Sequence, residues 1–248
     1  MDKNYRDHFL KQWKKYFGGA ELPVTFYYTD NPEGCSVVSS HRGWSCIICE
    51  LRKVRNGQSL AWDSAAVACQ GGKRYLGFST TIRPNFEYFL SCGIKDKMEG
   101  ERYIRTPEMV RVLMDRMPVG KISSKYIVFK RWDQLLENDV PEVVIFFSSP
   151  DVLSGLFTLA NYDQDEPNTT IAPFGSGCAS IVYHPYMQIQ NERQHAVIGM
   201  FDVSARPCVG PDILTFAVPL KKFESMISYM DESFLITGSW NKVRDRLK

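Results

Sequence analysis

The longest strongly apolar run in the chain, Val143 to Phe147, contains only branched and aromatic side chains and ends after five residues. Such a run fits a buried strand, and it falls far short of the ~18 apolar residues needed to span a bilayer. Tyr126 to Phe129 has the same character. Val24, Phe26 and Tyr28 alternate with Thr25 and Tyr27, the period of a strand, which Thr29-Asp30-Asn31-Pro32 then ends. Leu60 to Trp62, Ala196 to Phe201 and Ile213 to Val218 complete the set of expected strands.

Helical spacing fills the intervals. Over residues 2–17, Tyr5, Phe9, Trp13 and Phe17 recur every four positions with Leu10 beside them, before Gly18-Gly19. Trp44, Ile47, Ile48, Leu51 and Val54 mark one face of a second helix, closed by Asn56-Gly57. A short helix is expected from Asn85 to Ser91. Thr106-Pro107 is a cap followed by proline at the first helical position, with Met109, Val110, Leu113, Met114 and Met117 as the buried stripe. Ser149-Pro150-Asp151 opens another helix, and Pro219 to Met230 and Trp240 to Leu247 close the chain. Residues 163–168 form the most polar stretch and a loop tip. There is no strict βαβ rhythm, repeat or linker. The expected fold is a single α+β domain over residues 1–248, with helices packed on a mixed or largely antiparallel sheet.

Composition supports an ordinary globular chain: 248 residues, 44% hydrophobic and 23% charged. A chain of this length buries about 70–75% of its unfolded surface and needs no staple to fold. The net charge of +2 and isoelectric point near 8.1 are too mild for a polyanion binder, so no nucleic-acid partner is expected. Lys11, Lys14 and Lys15 read as the solvated side of the first helix. The opening residues carry no secretory signal. The expectation is a soluble, cytoplasmic protein with no membrane partner, whose seven cysteines are reduced. Packing, metal ligation and catalysis are then the roles open to them.

Three glycine–cysteine spots carry the candidate chemistry: Gly34-Cys35, Cys69-Gln70-Gly71-Gly72 and Gly175-Ser176-Gly177-Cys178. A glycine-rich turn at a helix start presents free N–H groups that favour anions and lower a thiol's pKa. Gly175, Gly177, Cys178 and Ser180, with the guanidinium of Arg206, are therefore a candidate site for a small, anionic ligand. Against this, Cys178 reads more readily as a small core residue, and Arg206 as a clamp on loop carbonyls. Cys178 with His184 as base is a candidate catalytic pair, although His184 also fits an ordinary loop histidine. A third reading uses Cys35, Cys69, Cys92 and Cys178, each close in sequence to a glycine or glycine pair, as dispersed ligands for an iron–sulfur cluster or transition metal. Cys46-Ile47-Ile48-Cys49 has metal or redox spacing but is expected inside a helix, where it reads as core packing. Of the remaining histidines, His8 is expected at the surface of the first helix. No Walker loop, H-E-x-x-H, G-x-S-x-G or complete dinucleotide fingerprint is present.

Cys35-Ser36-Val37-Val38, Cys69-x-Gly-Gly with Leu76-Gly77, Gly175-x-Gly-Cys178 and the terminal strand–helix unit together resemble the domain-of-unknown-function 169 family, also called ArCR. The resemblance covers roughly residues 20–230. It implies one full-length domain of prokaryotic type, and no activity or substrate. Cys46, Cys49 and Cys208 lie outside the resembling motifs.

Overall fold

In the structure, a computed structural model, residues 1–40 and 45–247 are described. Among the described residues, eight strands form one sheet: β1 (Val24–Thr29), β2 (Ser36–Val37), β3 (Leu60–Trp62), β4 (Tyr126–Arg131), β5 (Val143–Ser148), β6 (Thr170–Ile171), β7 (Ala196–Gly199) and β8 (Leu214–Pro219). Their order across the sheet is β2-β3-β4-β1-β5-β8-β7-β6. The two outermost pairs, β2–β3 and β6–β7, are parallel. All interior pairings are antiparallel. This is the mixed sheet of a single-domain α+β fold.

Strand alternation sorts the side chains into two layers. On β5, Val143, Ile145 and Phe147 enter one core, and Val144 and Phe146 enter the other. On the paired β1 and β4, Phe26 faces Phe129 in the first core, and Tyr27 faces Val128 on the opposite side of the sheet. The second core is covered by α1 (Lys3–Phe17) and, from later in the chain, by helices over Pro150–Ala160, Leu220–Ser228 and Gly238–Arg244. The four-residue aromatic spacing of α1 works here: Trp13 stacks on Phe17 with ring centroids 4.2 Å apart, and Phe9 meets Trp132 and Phe223 edge-on. Asp2 caps this helix by accepting the Tyr5 N–H, and His8 is exposed as expected.

The first core lies under α2 (Ile47–Arg55), α3 (Gln70–Tyr75) and a π-helical turn at Ala179–Tyr183. α2 buries Ile47, Ile48, Leu51 and Val54, carries Glu50 in its first turn and ends in basic residues, in agreement with its dipole. Gly57, at φ +97, supplies the left-handed exit that a side chain would resist. Trp44 and His41 lie outside the described residues. α4 (Phe86–Leu90) and α5 (Pro107–Asp115) sit beside this layer. Thr106 caps α5 through the Met109 N–H, but Met109 itself is 53% exposed, so the expected buried stripe is narrower than its apolar pattern. α6 (Pro150–Ala160), α7 (His184–Gln188), α8 (Leu220–Ser228) and α9 (Gly238–Arg244) follow along the chain. Among the described residues, no helix is long and apolar enough to cross a membrane.

One charged pair is sealed beneath the sheet. Lys130, fully buried on β4, holds both carboxylate oxygens of Asp139 at 3.0 and 2.8 Å and donates to the Glu33 carbonyl. The Tyr27 hydroxyl and the Leu136 N–H donate to the same carboxylate. Every lone pair and proton there has a partner, the condition under which a buried ion pair is tolerated. Lys130→Met or Asp139→Asn alone should therefore cost about 3–5 kcal/mol of unfolding free energy. The double variant Lys130→Met/Asp139→Leu should recover most of that loss in chemical denaturation. Equal losses in the single and double variants would refute this account.

Candidate cysteine centre

The C-x-x-C pair is at the start of α2, not inside it. Cys46 is the N-cap, with extended backbone at φ −99 and ψ 127, and Cys49 lies in the first turn. The apolar pattern that includes Trp44 suggested an earlier start; the chain instead turns helical only at Ile47. Cys49 is exposed and Cys46 is half-buried.

Across from this turn stands the short helical turn Arg206–Cys208. It brings Cys208 against α2 although 159 positions separate it from Cys49, and the two are joined as a disulfide. The expectation that all cysteines are free thiols is thus corrected: two distant sequence positions meet because both turns pack on the same core. The sulfurs of Cys46, Cys49 and Cys208 all lie within 4.8 Å of one another.

Two further thiols stand in electrostatic range of Cys46. Cys69 is the N-cap of α3, its sulfur accepting the Gly72 N–H at 3.5 Å. Cys178 caps the π-helical turn and is buried. Cys69 and Cys178 are close enough to act electrostatically on Cys46 or on each other, and so is Asp202. Burial pushes the Cys178 thiol well above its ordinary range. Burial also raises Cys46, while the Ile48 and Cys49 amides at the start of α2 pull it down.

The Gly175–Ser180 turn is what holds Cys178 in place. Asp202 accepts the Gly177 N–H at 2.9 Å and, with its other oxygen, the Ser204 N–H and hydroxyl. Ser180 is buried, donating to the Gly177 carbonyl and accepting from the Met200 N–H. A Cβ on Gly177 would stand 3.1 Å from Ile48 and 3.2 Å from Ala205, so a side chain there would press on both α2 and the following loop. Arg206 donates to the carbonyls of Met200, Gly210, Pro211 and Ile213. It is a clamp on its loop, the structural alternative read from the sequence. The groups expected to meet an anion are therefore engaged inside the protein.

Cys35 and Cys92 stand elsewhere. Cys35 packs with Tyr27, Ala61 and Val128, on the opposite face of the sheet from Cys178, beside Lys130. Cys92 is exposed beside the Ile94–Met98 loop and lines an open surface hollow of about 420 Å³ with charged neighbours. Cys35 lies on the other face of the sheet and Cys92 on an exposed loop, so Cys35, Cys69, Cys92 and Cys178 do not share one ligand sphere in this structure. Of them, Cys69 and Cys178 are in electrostatic range of Cys46. Cys46 and Cys49 were read as packing, and Cys208 carried no sequence signal beyond the Arg206-Pro207 turn before it.

His184, at the start of α7, has a buried Nε2 without a hydrogen-bond partner. A Cβ on Gly175 would stand 3.5 Å from that nitrogen. Burial lowers its pKa to about 4. A thiol pushed up and an imidazole pushed down resist forming the thiolate–imidazolium pair that thiol catalysis requires.

Two measurements follow. Cys92 should alkylate first in the native protein, and Cys178 only at the rate of unfolding, as read by mass spectrometry; fast labelling of Cys178 would contradict its burial. The unfolded chain protonates His184 near pH 6.5, and the folded protein only near 4. The unfolded state thus binds more protons in that window, and stability falls as pH drops from about 6.5 to 4. His184→Gln should flatten that part of the stability–pH curve.

No curated protein and no solved structure matches the chain. The DUF169 family, described as an uncharacterised ArCR, matches residues 14–229, which takes in all seven cysteines and all eight described strands, and leaves most of α1 and the whole of α9 outside. The chain, with its cysteine-lined helix starts on an eight-stranded sheet, belongs to the DUF169 family.

Proposed function

We propose that the cysteine centre binds a soft transition metal through thiolates, as a single zinc-like ion or an iron–sulfur cluster. The observation that carries this is the meeting of Cys46, Cys49 and Cys208, all within 4.8 Å. Bonds of ~2.3 Å at tetrahedral angles place sulfur ligands ~3.8 Å apart, so this envelope is of the right size for three ligands of one ion. Cys69 and Cys178, in electrostatic range of Cys46, are the candidates for the fourth. Neutral thiols gain little from each other's company. With the Cys49–Cys208 bond reduced, a cation converts the sulfurs of Cys46, Cys49 and Cys208 into a ligand set, and lowers their pKa values in doing so. The Gly72 N–H directed at Cys69 fits the same reading, because N–H donors to sulfur tune such centres.

The reading keeps the cysteine-ligand chemistry expected from the sequence but moves it from Cys35 and Cys92 to Cys46, Cys49 and Cys208. A reducing, cytoplasmic setting belongs to it, since the ligands must be thiolates. Binding of a small anion at Gly175–Ser180 has less support, because Asp202, Gly177 and Met200 already use the polar groups of that turn.

Protein purified without oxygen should carry about one equivalent of zinc, or iron with sulfide and a broad visible absorption. Serine at Cys46, Cys49 or Cys208 should lower metal affinity at least about tenfold, and serine at Cys35 or Cys92 should leave it unchanged. Reduced protein that takes up neither zinc nor iron, as measured by elemental analysis after reconstitution, would overturn the reading.

A further inference from the structure

The three closest sulfurs differ in exposure and in bonding. Cys49 faces solvent, Cys46 and Cys208 are half-buried, and Cys49 and Cys208 are bonded to each other while Cys46 remains a free thiol. The same atoms therefore have two mutually exclusive uses. A sulfur in a disulfide has no thiolate charge to offer a cation, so the bonded state leaves only Cys46 of the triad as a ligand. Cys69 and Cys178 come from other elements, and Cys178 is buried, so neither replaces the lost pair at the exposed side.

We propose, on the basis of the metal reading above, that Cys49 and Cys208 form a two-electron latch on the centre. Their oxidation ejects the metal, and their reduction by a dithiol restores the site. With a peroxide as oxidant, the exposed Cys49 thiolate attacks one oxygen, the O–O bond breaks, and hydroxide leaves. The Cys208 thiolate then displaces the second hydroxide from the Cys49 sulfenic acid, forming the S–S bond. Two thiolates and one peroxide become one disulfide and two hydroxides, and the metal departs in its original oxidation state. In the reverse direction, a dithiol's thiolate attacks the Cys49 sulfur and the electron pair of the broken bond leaves on Cys208. The reagent's second thiol releases Cys49 and closes the reagent's own disulfide.

The location fits such a latch. The exposed Cys49 gives oxidant and reductant one point of access, while Cys178 is shielded. The turn bearing Cys208 is clamped by Arg206 on four carbonyls, so Cys208 meets Cys49 from a fixed support.

The full chain, reduced and loaded with zinc, is titrated with hydrogen peroxide. Released zinc is read with a chromogenic chelator, and disulfides are mapped by mass spectrometry. One zinc should be released per Cys49–Cys208 bond formed, dithiothreitol should restore uptake, and the Cys35→Ser/Cys92→Ser protein should behave identically. Zinc retained by protein with a mapped Cys49–Cys208 bond would overturn the latch and leave the metal reading standing. So would zinc release that tracks oxidation of Cys35 or Cys92. Absence of zinc or iron uptake by the fully reduced protein would instead overturn the metal reading, and the latch with it.

Discussion

Two-sided burial of the central strands governs the rest of this molecule. All six residues of β5 are buried, and its neighbours β1 and β8 are nearly as enclosed. A sheet buried on both faces must be covered twice, by amphipathic elements that reach it from either side. On one side the cover is aromatic: α1, with α6, α8 and α9, closes over Phe146, Phe216 and Val218. On the other it consists of short helices and turns, α2, α3 and the Ala179–Tyr183 segment. Short helices have many ends for their length, and ends leave backbone N–H groups to be satisfied. The chain places a cysteine at three of those beginnings, Cys46, Cys69 and Cys178.

The cysteine centre is thus a by-product of layer geometry. Helix starts that pack on one surface are brought near one another, and each contributes partial positive charge where sulfur stands. Asp202 ties the Gly175–Cys178 turn to the loop after β7, and that loop continues into the turn bearing Cys208. Four separate stretches of sequence therefore meet without a contiguous motif.

Much of the fold was legible in the sequence because it is set by periodicity. The alternation in Val24–Tyr28, the run Val143–Phe147 and the four-residue aromatic spacing of α1 each correspond to an observed element of nearly the expected extent. Boundaries and long-range meetings were less legible. Trp44 continues the apolar phase of α2 in the sequence, but phase does not reveal where hydrogen bonding begins, and the true start at Ile47 moves the C-x-x-C pair from the middle of a helix to its first turn. Glycine beside cysteine was a misleading guide for Cys35 and Cys92, because their glycines serve turns on other parts of the surface: Gly34 and Gly93 both have positive φ. Cys208 had no local signature, since its role comes from a contact 159 positions away. Arg206 was read with both alternatives open, and the four carbonyls around it decide for the clamp.

The span between Cys49 and Cys208 also bears on how the chain holds together. A cross-link closing so long a loop restricts the unfolded ensemble severely, by about 5 kcal/mol in the chain-entropy description. A metal ion bridging the same two residues would tether the same ends. The bonded form and the metal-bound form would then share one topological restraint, and the reduced, metal-free polypeptide would be the only state without it. Proteolytic susceptibility and turnover in a cell would follow the occupancy of three sulfur atoms as much as the packing of the core.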